Sequence, residues 1–190
     1  MHIFVFLWRA IWVMPLYLFY QIALRLNTKS ALLFKQDLAR RLPQKGFFTL
    51  LCDTKCYRNL FYYRFRPYAA PLKLICHPDS SFSIGVRHGL GGGVFLQHSF
   101  RSLIIADSIG ENFKCWHNCT VGKLKGELPI IGTNVSMSAG SMILGGAKIG
   151  DNVNLGAGCV VIKDVPSNCT VIGNPARIVK MDGKKVDKPL

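Results

Sequence analysis

Acidic residues are scarce in this chain of 190 residues: ten Asp and Glu stand against 24 Lys and Arg, a formal net charge of +14. The shortage is sharpest at the front. Residues 1–75 hold twelve Lys and Arg but only Asp37 and Asp53, whereas residues 76–190 hold twelve against eight acids. A basic excess of this kind calls for an anionic partner. No nucleic-acid-binding motif accompanies it, and it lies beside the most apolar stretch of the chain, so an anionic membrane surface is favoured over nucleic acid. Features of a secretory leader are also missing, since the apolar start has neither a basic n-region nor a small-residue cleavage site. Seven cysteines, an odd number, then read as reduced thiols in a cytosolic compartment. Cys52 and Cys56 lack the second Cys or His pair that a zinc site requires, and no metal is expected.

What the chain does have begins with Ile3–Leu24, interrupted by polar groups only at Arg9 and Gln21 and by Pro15, which should kink a helix. Its length just suffices to span a bilayer, and Trp8, Trp12, Tyr17 and Tyr20 suit an interface. The expectation is membrane association, in plane or spanning, with the rest of the chain at the inner face of the cytoplasmic membrane because Arg25, Lys29, Lys35, Arg40 and Arg41 follow directly. A buried helix in an oligomer is the plainer alternative. Leu32, Leu33, Phe34, Leu38 and Leu42 have helical spacing up to Pro43, and residues 57–64 read as a second amphipathic helix. Residues 1–70 therefore form a helical segment, closed by Pro67 and Pro71.

From about residue 82 the period becomes six. Ile131, Met137, Ile143, Ile149, Leu155 and Val161 are apolar at every sixth place, and Val135, Ser141, Ala147, Val153, Cys159 and Val165, four places after each, are small or β-branched. The frame reaches upstream to Ile84, Leu90 and Leu96 and, after a one-residue shift, to Ile109, Cys115 and Val121. Neither a helix nor a flat strand repeats at six. A triangular coil of three short strands does, and stacked coils bury a continuous aliphatic column. Residues 82–175 would make about five such coils. Residues 176–190 are left as a basic, polar and mobile tail.

These residues, above all SMSAGSMILGGAKIGDNVNLGAGCVVIKDVP and VIGNPARIVK within 136–180, resemble the hexapeptide-repeat acyltransferases, most closely the serine acetyltransferases and their relatives in capsular polysaccharide synthesis. The resemblance covers about Ile84 to Lys180. It implies a mainly β fold, a left-handed parallel β-helix outside the usual right-handed crossover rule, assembled as a homotrimer with active sites between neighbouring β-helices. It also implies acetyl-CoA as co-substrate. The family's catalytic His falls on His98, as general base for an acceptor hydroxyl. His117 sits two residues after Cys115 as His98 sits two after Leu96, which makes it a second candidate for a catalytic or substrate-contacting role; His88 ranks lower. By the same likeness the CoA groove takes in Ala139, Gly140, Gly156, Ala157 and Gly158, with Asn174, Arg177 and Lys180 near the pantetheine end or the phosphates.

The sequence departs from serine acetyltransferases at the acceptor. Gln97 stands where they carry Asp before the His, Ser83 where an orienting Asp lies one coil earlier, and Glu127-Leu128 where an Arg-His pair supplies a second His and a partner for serine's carboxylate. The reading placed first is acetyl transfer to a hydroxyl of a sugar or lipid-linked saccharide. Serine O-acetyltransferase is the alternative. A non-catalytic or metal-binding β-helix, with His88, His98 and His117 as the available ligands, comes third.

Overall fold

The computed structural model describes residues 2–41 and 47–190, without the side chains of residues 2–7 and 9. The chain divides into two units, Met1–Ser80 and Ser81–Leu190.

The first unit is helical: α1 (His2–Arg25), α2 (Lys29–Ala39), α3 (Phe47–Asp53) and α4 (Cys56–Arg64), followed by a 3-10 turn over Ala70–Leu74. Thr28 caps α2 by accepting the Ala31 N–H. The expected stop of this helix at Leu42-Pro43 lies outside the described residues. Pro15 does not end α1, which runs through it. The helix is held by packing rather than propensity there, since Val13 and Leu16 on either side are fully buried. Aromatic rings fill the core. Tyr20 meets Phe34 edge-on at 5.5 Å, Phe34 meets Phe61 at 5.3 Å, and Phe61 meets Phe65 at 4.6 Å. Within this core the Arg64 guanidinium donates to both carboxylate oxygens of Asp37, at 2.9 and 3.1 Å. Among the described residues, no helix is long and apolar enough to cross a membrane.

The second unit is a parallel β-helix. Its strands are β1 (Phe82–Val86), β2 (Phe95–Leu96), β3 (Ser102–Ala106), β4 (Ser108–Ile109), β5 (Lys114–Cys115), β6 (Thr120–Gly122), β7 (Ile130–Ile131), β8 (Ser136–Met137), β9 (Met142–Leu144), β10 (Lys148–Ile149), β11 (Asn154–Leu155), β12 (Val160–Val161), β13 (Cys169–Ile172), β14 (Arg177–Met181) and β15 (Lys184–Pro189). They build three faces: β1-β3-β6-β9-β12, then β4-β7-β10, then β2-β5-β8-β11-β13 with β14 and β15 added at its end. Every pair between coils is parallel. All twelve residues of the two apolar series from Ile131 to Val165 are buried, so the period of six is the period of the coil's interior.

Two corners show why particular residues stand where they do. At one, Gly91, Gly110, Gly132 and Gly150 stack so closely that a Cβ on Gly110 would lie 2.7 Å from the carbonyl of Gly132. Gly110→Ala is expected to destabilise the β-helix by about 1–3 kcal/mol, whereas Gly85→Ala, with nothing within 4 Å, should be near neutral. Chemical denaturation of the two variants checks this. At the next corner Asn112, Asn134, Asn152 and Asn168 all take φ of 58–59°, a conformation Asn tolerates. Each side-chain NH₂ donates to the following amide oxygen at 2.9–3.0 Å, and Asn168 ends the ladder on Asp182 at 3.0 Å.

Residues 176–190 are not the mobile tail expected of them. Strand β14 pairs antiparallel with β13, and β15 with β14. The turn is Asp182-Gly183 with φ of 47° and 80°, the left-handed pair that two-residue hairpins favour. The hairpin closes the open edge of the third face, which a parallel stack must cap.

Candidate active site

The corner where the third face turns into the first gathers most of the expected site residues. Strand register sets one row of residues there: Gln97, Trp116, Ser138 and Gly156 each donate their N–H to the next coil, to Cys115, Met137, Leu155 and Val171 at 2.8–3.1 Å. The row after it is read from the carbonyls. Asn118 donates to Phe100, Gly140 to His117 and Gly158 to Ala139, at 3.0–3.1 Å. Arg101, Asn118, Gly140 and Gly158, the residues next in line, all have positive φ, from 52° to 71°. The corner column is therefore Phe100, His117, Ala139, Ala157.

His98 does not occupy the place equivalent to His117. His98 and Ser99 form a two-residue insertion in the first coil. Ser99 turns inward, fully buried, and donates to the Cys115 carbonyl at 2.8 Å. His98 sits exposed at the apex with φ 51°, its carbonyl receiving the Phe100 N–H at 2.8 Å. The ring that lies on His117 is that of Phe100, at 5.3 Å and 7° between planes. Both imidazoles thus share one corner, at different heights and in different backbone conformations.

Along the column two rings give way to two methyl groups, which leaves a step whose wall is His117 and whose floor is Ala139 and Ala157. Among the described residues the N–H groups of Ala139 and Ala157 donate to no acceptor. Gly156 stands where a Cβ would come within 2.9 Å of Ile172. Asn174 lies beyond the floor, in a cleft of about 220 Å³ with Val160, Ile162, Lys163 and Ala176. Arg177 and Lys180 are not on this corner. They belong to β14, and the Arg177 guanidinium is held by Asp187 at 2.6 and 2.7 Å.

Under the corner, the neighbouring Cys119 thiol together with burial holds the Cys115 thiol well above its usual range, and the Cys115 thiol draws Cys119 below its own. Both sulfurs are sealed in the coil interior, so access excludes them as nucleophiles.

The expected acceptor loop is elsewhere. Leu124 and Glu127 exchange two backbone hydrogen bonds of 3.1 Å around Lys125-Gly126, a tight hairpin between the first and second faces that lies against Gly145 and Gly146 of the next coil. His88 is also off the corner, but it has what His98 lacks among the described residues: a carboxylate. Its Nδ1 is 2.9 Å from Asp107. Sequence reasoning passed over this pair, although Asp107 follows His88 by one coil, the step from Leu90 to its partner Ile109. Among the described residues no three His, Cys, Asp or Glu side chains cluster as metal ligands.

No family model matches the chain. A serine acetyltransferase of Synechococcus elongatus is 38% identical over 104 residues, covering 52% of this chain and 42% of that protein. The chain thus spans less than half the length of this relative. The crystal structure of serine acetyltransferase from Brucella abortus superposes with a TM-score of 0.69 at 25% identity, covering 86% of this chain and 74% of that one. That of Neisseria gonorrhoeae serine acetyltransferase in complex with serine gives 0.63 at 25% identity, with coverages of 83% and 72%. In its coils the chain is thus similar to the serine acetyltransferases, with which it shares the β-helix fold.

Proposed function

We propose that this chain is an acetyl-CoA-dependent O-acetyltransferase, acting as a homotrimer, with L-serine as the first acceptor to test. The relatives' activity favours serine over the saccharide placed first in the sequence reading. The observation that carries acetyl transfer is the step in the corner column. An extended pantetheine arm laid over Ala139 and Ala157 finds two backbone N–H donors, and Gly140 and Gly158 present no side chain beside it. Its thioester then stops at His117, below His98. His98 takes the proton of the acceptor hydroxyl as its oxygen attacks the thioester carbonyl. The tetrahedral oxyanion collapses, the C–S bond breaks, and CoA leaves as a thiolate that takes up a proton. On this reading the nucleotide end belongs to Asn174 and Lys180, with Arg177 able to exchange Asp187 for a phosphate. Release of free CoA from acetyl-CoA in the presence of L-serine tests this reading, and no turnover with serine at any concentration would remove serine as the acceptor.

A saccharide hydroxyl is the second reading, favoured by one observation. Phe100, 46% exposed, offers a flat apolar ring at the acceptor end, stiffened by its stack on His117. The apolar face of a pyranose fits such a ring, whereas serine makes no use of it. If the acceptor is a sugar, Phe100→Ala should raise its KM about 2- to 10-fold with little change in the KM for acetyl-CoA. Steady-state kinetics with a saccharide panel checks this.

A further inference from the structure

Helix α1 is apolar on two sides. Val13, Leu16, Tyr20 and Ala23 are buried in the helical unit, yet Ile11, Leu18, Ile22 and Leu26 are each more than half exposed. These four recur at helical spacing and form one stripe, flanked by Trp8 and Trp12. A helix apolar all round is normally covered all round, and a contiguous exposed stripe marks an interaction surface.

Charge and shape together indicate what covers it. Arg25 ends α1, Lys29 begins α2, and Lys73 precedes the exposed Leu74 and Ile75. Of the few acids in this unit, Asp37 is fully buried against Arg64. The C-terminal half of the stripe thus has Arg25 at its end and Arg66 in the cleft beside Ile22 and Leu26. Beside it a cleft of about 440 Å³ opens between α1 and the end of α4, walled by Phe19, Ile22, Leu26, Phe65 and Tyr68, with Arg66 among its lining residues.

We infer that the helical unit rests in plane on an anionic phospholipid surface through the Ile11-Leu18-Ile22-Leu26 stripe, with a lipid acyl chain in the adjoining cleft and its phosphate at Arg66. The helix cannot instead span while its other side remains in the core, because Tyr17, Phe19 and Tyr20 interlock with rings of α2, α3 and α4 at 5.2–6.4 Å. This inference is independent of the acetyl-transfer reading.

Sedimentation of the full chain with phosphatidylcholine vesicles, with and without phosphatidylglycerol, tests it. Binding is expected only to the anionic vesicles, weakening with added salt, and about fivefold weaker for Arg66→Gln. Leu18→Glu/Ile22→Glu changes exposed positions, so helicity should persist while binding falls by tenfold or more, the scale of one lost apolar side chain. No binding to either vesicle overturns the inference, as does undiminished binding of the folded double variant. A third overturning result is an oligomer that the double variant dissolves while the parent ignores vesicles, which would give the stripe to a second copy of the chain.

Discussion

His98→Asn should lower kcat for acetyl transfer by about 10²- to 10⁴-fold, the range a positioned general base contributes, with a much smaller effect on the KM for acetyl-CoA. Asn is the better test than Ala because His98 sits at φ 51°, where Asn is tolerated and Ala adds backbone strain of about 1 kcal/mol. The variant then removes the imidazole and keeps the insertion in which Ser99 anchors to Cys115. His117→Ala should cost less than tenfold in kcat, because that ring serves as the wall of the step and the support of Phe100. Rates of CoA release for both variants decide the matter. If His117→Ala is the crippling change and His98→Asn is mild, the base is His117. If both variants turn over at the parent rate, this corner does not hold the chemistry.

Arg64→Leu should destabilise the helical unit by about 3–5 kcal/mol, because it takes a buried bidentate partner from the Asp37 carboxylate in the aromatic core. The pair is bidentate and almost wholly shielded, with side-chain exposures of 3% for Arg64 and 0% for Asp37. The loss should come from the partner taken from a buried charge and not from the pair's net worth. Asp37→Leu/Arg64→Leu is accordingly expected to regain most of the stability, and may not be inferred from adding the single changes. Trp8 and Trp12 lie in the helical unit and Trp116 in the β-helix, so urea unfolding followed by fluorescence in a Trp116→Phe background reports on the helices alone. A single variant within about 1 kcal/mol of the parent would show that Asp37 finds water or another donor when Arg64 is gone.

The β-helix was legible because its interior repeats at a period no other regular structure shares. From Ile131 to Val165 every residue assigned to the inside is inside. Upstream the same counting lost the details of the corner. A hexad frame resumed after an interruption says that residues were added, but not in which turn. Leu96 pairs with Cys115 and Ile104 with Val121, so the added residues lie between them, at His98 and Ser99. His98 and His117 therefore looked equivalent in sequence and are not so in space. The C-terminal hairpin was missed for another reason. Strand β15 is exposed along its whole length, so no apolar alternation announces it, although Asp182-Gly183 is the turn signal itself. In the helical unit the apolar spacing up to Leu42 and over residues 57–64 foretold helices, whereas Tyr17 and Tyr20, expected at an interface, pack against rings of α3 and α2. The Asp37–Arg64 pair spans 27 residues with no local pattern to betray it.

The asparagine corner has a consequence for chain length. A carboxylate can only accept, so Asp182 fixes the direction of every amide in the ladder: each oxygen faces the preceding coil and each NH₂ the following one. From Asn134 to Asn152 one coil takes 18 residues and repeats its own geometry. A duplicated coil inserted there would offer a free oxygen to Asn134 and a free NH₂ to Asn152, the same complement as the coil it copies. Nothing at this corner counts turns. The number of coils is set only by where the hairpin closes the stack, which leaves the solenoid modular in its C-terminal half while the acceptor corner, fixed by the insertion at His98, stays where it is.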